Sequence, residues 1–186
     1  MTNARYKQCV EAGNCSRPSS TSSSTRGPYY GDARYDNYPV IYVNWEQAKA
    51  YCEWRGSDTR LPTEAEWEKA ARGTDGRLYP WGDTFDKNRV NSWEGGKRDM
   101  TEVGSYPSGA SPYGALDMAC NVWEWVADWY QMYPGGKPLS DFGEKYRVVR
   151  GGAWSNDGYN VRAANRNRDA PSDTLDDVGF RCARSP

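Results

Sequence analysis

The sequence predicts a single α+β domain of short strands, two to three helices and long loops. Three observations predict it. Two stretches, NWEQAKAYCEWRG and LPTEAEWEKAARG, each carry a helix-start and a helix-stop signal. Two strand-like pieces, RVVRGG and VGFRCA, lie near the end of the chain. From Tyr79 to Tyr146 the text is mostly Gly, Pro, Asn, Asp and aromatic residues broken by short apolar pieces, which reads as loop.

Taken in order, Thr2 caps a short helix, NARYKQCVEA, which Gly13 ends. Residues 16–28, SRPSSTSSSTRGP, read as a mobile, Ser-rich surface loop. YDNYPVIYV reads as a short strand. In the second helix Asn44 caps, Gln47 sits at the capping-box position and Gly56 stops it, with Ala48, Tyr51 and Cys52 on one face. In the third, Thr63 and Glu66 form the capping box and Gly73 provides the stop. A length of 186 residues suits one domain, residues 1–186, and no internal repeat divides it.

Composition excludes several functions. The 24 basic and 25 acidic residues balance, giving no electrostatic case for nucleic acid or an anionic membrane. No stretch reads as a membrane span or a signal peptide, which is compatible with a cytoplasmic or a surface-displayed chain. The 9 Trp and 14 Tyr supply the core that scarce aliphatics do not. Histidine is absent, so this chain holds no Ser-His-Asp triad and no His-ligated metal. The five cysteines match no zinc spacing, and their odd number leaves one unpaired or intermolecular. Cys9 and Cys15 could close a short loop, and the redox compartment stays open.

RLPTEAEWEKAARG, YPWGD, YGALDMACNVWEWVADWY, RVVRGGAW and GFRCA occur in this order. Through them the chain resembles the formylglycine-generating-enzyme, or sulfatase-modifying-factor, domain family. The resemblance covers about Thr2 to Ala183 and implies a C-type-lectin-like fold. The family has strand-forming sequence before the piece matching TNARYKQCVEAG, which is expected to be missing here or supplied elsewhere. The oxidases of the family hold copper with two cysteines shortly after RGGAW. The matching window, Ser155 to Arg162, contains no cysteine, so no enzyme activity and no copper are expected. The family's iron enzymes use histidine, so no iron is expected either.

The words RGGAW, VRAANR and VGFR resemble the scaffold of another branch, the variable proteins of diversity-generating retroelements. These words lie in a C-terminal cassette, residues 147–184. The runs between them are Ser155, Asn156, Asp157, Gly158, Tyr159 and Asn160, then Asp169, Ala170, Ser172, Asp173, Thr174, Leu175, Asp176 and Asp177. Each residue type is reachable from an AAC codon by changing adenines alone; Lys, Glu, Gln, Met and Trp are not reachable and do not occur there. Turn composition accounts for the same residue types, so an unvarying sensor or kinase-associated domain remains the alternative. The expectation is a hypervariable, ligand-binding face for a protein or other macromolecule. Its five Asp residues suggest a basic or amine-bearing epitope, and Tyr159 is the natural anchor. Arg162 and Arg166 are expected to hold the cassette rather than to contact ligand.

The resemblance further implies structural Ca²⁺ on Asp117 and Glu124 with the main-chain oxygens of Cys120 and Val122. Cys120 stands where the family has Gly, so that ligand survives only if the backbone needs no positive φ. A weaker site involves Asn91 and Ser92, with Asp99 as a substitute for a missing Asp. The family also implies a Cys52–Cys182 disulfide, against the alternative of two buried thiols. A sugar-binding reading of the aromatic segments loses to a core reading, since no Glu-Pro-Asn motif is present.

Overall fold

The computed structural model describes residues 1–133, 135–137, 140 and 142–184. Each expected helix forms, and each starts at its expected cap. Helix α1 spans Asn3–Glu11, and the Thr2 hydroxyl accepts from the Arg5 N–H. Helices α2, Trp45–Trp54, and α3, Glu64–Arg72, both begin with complete capping boxes, satisfying otherwise orphaned N–H groups. Gly73 ends α3 at a φ of 69°, which a side chain would strain.

The strands are β1 Thr59–Arg60, β2 Trp123–Trp129, β3 Arg147–Arg150, β4 Arg166–Asp169, β5 Val178–Phe180 and β6 Ala183–Arg184. They make a four-stranded sheet ordered β4-β3-β2-β5 and a two-stranded sheet of β1 and β6. Only the β2–β5 pair in the larger sheet is parallel.

Three expectations change. YDNYPVIYV is not a strand: Pro39 makes only an isolated bridge to Thr2, and Tyr42 has a φ of 56°, outside the extended region. NVWEWVADWY, placed in the long loop, supplies the longest strand; it is buried over Trp123–Val126, so its pattern shows no alternation. VGFRCA splits into β5 and β6.

Aromatic rings build the core. Tyr6, Tyr51 and Phe180 pack mutually at centroid distances of 5.4–6.1 Å. The indole N–H groups of Trp45, Trp67 and Trp125 donate to the Val126 carbonyl, Glu124 and the Val43 carbonyl, so these rings are buried without an orphaned donor. Cys52 and Cys182 form a disulfide, as do Cys9 and Cys15. No helix among the described residues is long and apolar enough to cross a membrane.

Candidate functional site

Strand β3 is followed by Gly151 and Gly152, at φ values of 97° and 84°. A Cβ on Gly152 would stand 2.8 Å from Val161, so only glycine fits this exit into the first run. There Asn156 is a turn residue: its side chain accepts from the Ala153 N–H and its carbonyl accepts from the Trp93 N–H. Gly158 is buried. Its N–H donates to Glu94 at 2.8 Å, its carbonyl accepts from the Tyr79 hydroxyl, and a Cβ there would meet Phe85 at 2.8 Å. Asn160 closes the turn onto the Asp157 carboxylate. Ser155, Asp157 and Tyr159 are exposed, Tyr159 by 67%. The first run therefore displays alternate side chains; Gly158 displays none, which corrects its place in a displayed set.

The second run starts earlier in the fold than its text suggests. Asp169 is the last residue of β4, paired with Arg147. Asp173 caps a turn by accepting from the Ala170 N–H. The Pro171 carbonyl accepts from the Trp45 N–H, the Leu175 carbonyl from the Tyr42 N–H, and the Asp177 carbonyl from the Trp123 N–H. Ser172 and Leu175 are exposed; Ala170, Thr174 and Asp176 are half-buried.

The face is less negative than five carboxylates imply. Burial, then the charges of Asp177 and Asp173, push Asp169 up to about 7, against the pull of Arg168. Burial and Asp176 push Asp177 up to about 6. A carboxyl with a raised folded-state pKa binds more protons folded than unfolded, so stability falls as pH rises through the interval from about 4 to about 7. Asp169→Asn is expected to flatten that fall, as read from urea midpoints across the interval; an unchanged slope would remove Asp169 as its source.

Of the two arginines expected to hold the cassette, Arg166 is tied to the frame and Arg162 to Tyr159. Arg166 makes a bidentate pair with Glu64, both contacts at 2.7 Å. Glu64 also accepts from Arg150, which is fully buried and reaches Glu68 and the Ala163 carbonyl as well. Arg162 donates to the Tyr159 carbonyl and stacks 3.7 Å from that ring's centroid. A cavity of about 1060 Å³ lies between α3 and residues 127–133 and is lined by Ala164 and Arg166 but by no residue of either run.

The residues suggested for Ca²⁺ do not fit it. Cys120 has a φ of 58°, the left-handed conformation that glycine would take without strain. Arg181 donates to both Glu124 oxygens and to the carbonyls of Leu116 and Asp117. The other donor on Glu124 is the Trp67 indole, and Asp117 accepts from the Gly104 N–H. A guanidinium thus already holds oxygens that a hard cation would need. At the weaker site Ser92 binds Glu94, Asn91 donates to Asn121, and Asp99 pairs with Arg26. No group of three or more Cys, Asp and Glu residues among the described residues is placed to hold a metal.

The fold brings Cys120, though remote in sequence, to the edge of the window where the oxidases carry their cysteines. Its thiol contacts the Ala153 carbonyl at 3.1 Å, and burial raises its pKa well above the ordinary value. It is the sole free cysteine, the other four being in disulfides.

The sulfatase-modifying factor enzyme 1-like domain matches residues 1–186. The chain belongs to that family. Members of the sulfatase-modifying-factor family similar to it include the inactive C-alpha-formylglycine-generating enzyme 2 of Mus musculus, 42% identical over 86% of this chain and 53% of that protein. The serine/threonine-protein kinase pkn1 of Chlamydia pneumoniae is 43% identical over 81% of the chain and 25% of the kinase. The chain thus spans about half the length of the first relative and a quarter of the second. Among solved structures, Treponema denticola variable protein 1 superposes with a TM-score of 0.77 at 25% identity, covering 100% of this chain and 82% of the other. PvdO from Pseudomonas aeruginosa superposes equally well, at 0.77 and 26% identity, over 100% and 77%. The family's α+β, C-type-lectin-like fold is the fold of this chain.

Sequence reasoning missed the support of the first run. Tyr79, Phe85, Trp93 and Glu94 come from the presumed loop and hold that run from below. Nothing in their spacing marks them, because each contact spans more than sixty residues of chain.

Proposed function

We propose that this chain is a non-enzymatic ligand-binding protein whose cassette, residues 147–184, displays a hypervariable face to a protein or other macromolecule. The supporting observation is the division of labour in the first run. Exposed Ser155, Asp157 and Tyr159 stand on a backbone pinned by Asn156, Gly158 and Asn160. A fixed backbone binds with little ordering cost, and exchange of exposed side chains barely alters stability. The likeness to a solved variable protein favours this reading. Finding a reverse transcriptase gene beside this one, with a near-identical template repeat carrying Asn codons at the run positions, would establish diversification. An intact locus lacking both would reject it and leave the unvarying sensor or kinase-associated domain, which the likeness to pkn1 favours.

The oxidase reading is the weakest of the three. Cu(I) chemistry of that kind needs a thiolate pair, and Cys120 offers one buried thiol that burial keeps protonated. Tight Cu(I) binding with oxygen consumption would overturn the non-enzymatic assignment.

Tyr159→Ala is expected to change unfolding free energy by no more than about 0.5 kcal/mol, since the ring is exposed. Gly158→Ala, which drives a methyl into Phe85, is expected to destabilise by about 1–3 kcal/mol. Urea denaturation of both variants measures the contrast; equal effects would contradict the split between displayed and supporting positions.

A further inference from the structure

Asp99 is fully buried, and three neighbouring residues of one segment surround its carboxylate. One oxygen accepts from the Ser23 hydroxyl at 2.7 Å and from the Thr25 N–H and hydroxyl. Arg26 Nη1 lies 3.2 Å from that oxygen, and Nη2 donates to the Met100 carbonyl at 2.9 Å. The same guanidinium lies 5.3 Å and 5.0 Å from the ring centroids of Tyr35 and Tyr38. A buried carboxylate requires a compensating charge and hydrogen-bond donors. Here the charge and the donors to one oxygen come from the Ser-rich stretch, while the Met100 N–H donates to the other at 2.9 Å; the stretch is therefore a tethered segment and not the mobile loop its composition suggests. One nearby oxygen is unused: the side-chain carbonyl of Asn91 is buried without a partner, although its amide donates to the Asp99 carbonyl.

The tether has a position. The Ser19 N–H donates to the Tyr42 carbonyl, and the Tyr42 N–H donates to the Leu175 carbonyl of the second run. The Trp93 N–H, next to Ser92 and Asn91, donates to Asn156 in the first run. The Ser-rich segment thus connects to the second run through Tyr42, and through Asp99 to Asn91, two residues before Trp93. Its Thr21, Ser22 and Ser24 are exposed.

We propose that Arg26 is a built-in cation: it neutralises Asp99 where the fold family suggests calcium, and so fixes residues 19–26 beside the second run without any metal. That this neighbour is a ligand-binding run rests on the function proposed above; the tether does not.

Hydrogen exchange on the full chain tests the tether, with β2 amides as the internal reference. In wild type, the amides of Ser23, Thr25 and Tyr29 are expected to exchange equally slowly in EDTA and in millimolar CaCl2. In Arg26→Gln they are expected to exchange about tenfold faster relative to β2, because the ion pair with Asp99 is lost and the buried carboxylate is left without a compensating charge. Asp99→Asn, which removes the carboxylate and keeps Arg26, is expected to do the same. Faster wild-type exchange on adding EDTA would show that a metal holds the segment and would overturn the proposal. Unchanged exchange in both variants would overturn it equally. No ligand enters the measurement, so a failure of the display reading leaves its outcome untouched.

Discussion

Glu64→Ala lowers the unfolding free energy by about 3–5 kcal/mol, the expected result for removing one partner of a buried ionic network. Glu64 is the only carboxylate shared by Arg150 and Arg166 among the described residues. Arg150 is fully buried and keeps Glu68, but Arg166 loses its ion pair with Glu64 and keeps only the Gln131 carbonyl among the described residues, leaving a guanidinium against Tyr130 and Tyr133. The loss is a large fraction of the stability of an ordinary domain. Glu53→Ala is the control, since its pair with Lys49 is exposed on α2 and should cost at most about 0.5 kcal/mol. Urea unfolding of both variants reads the difference. A cost for Glu64→Ala as small as the control's would mean that water reaches the network and that the cassette is not anchored through it. Because Arg166 opens β4, the same loss should loosen the approach to the second run.

Removing the Cys52–Cys182 disulfide as a double Ala variant is expected to cost about 4–5 kcal/mol, and removing Cys9–Cys15 about 2–3 kcal/mol. The ordering follows from loop length: the first bridge closes a sequence separation of 130 residues and the second only 6. The long bridge ties α2 to the two-residue link between β5 and β6, fastening the helix to the last two strands. Chemical unfolding of the two double variants under oxidising conditions measures the contrast. Equal losses would assign the stabilisation to native packing rather than to restriction of the unfolded chain.

All three helices were legible because their caps are local. Thr2, Asn44 and Thr63 act on N–H groups within three residues of themselves, and the glycines act on their own φ. The displayed positions were partly legible for the same reason: Ser155, Asp157 and Tyr159 lie in a polar run and are exposed. Gly158 lies in that run too, yet Phe85 covers it, and no local pattern distinguishes the two cases. Strand β2 was hidden because its neighbours bury both faces over Trp123–Val126 and erase the two-residue alternation.

What the sequence determined by itself is the absence of histidine and of a cysteine pair in residues 155–162, and with them the loss of two kinds of chemistry, since no fold can supply a missing side chain. What only the tertiary structure decided is the partner of each charge. Asp99 met Arg26, and Glu124 met Arg181, across separations of 73 and 57 residues. Such pairs form because burial makes an unpaired charge expensive, and burial belongs to the assembled core rather than to any stretch of the chain.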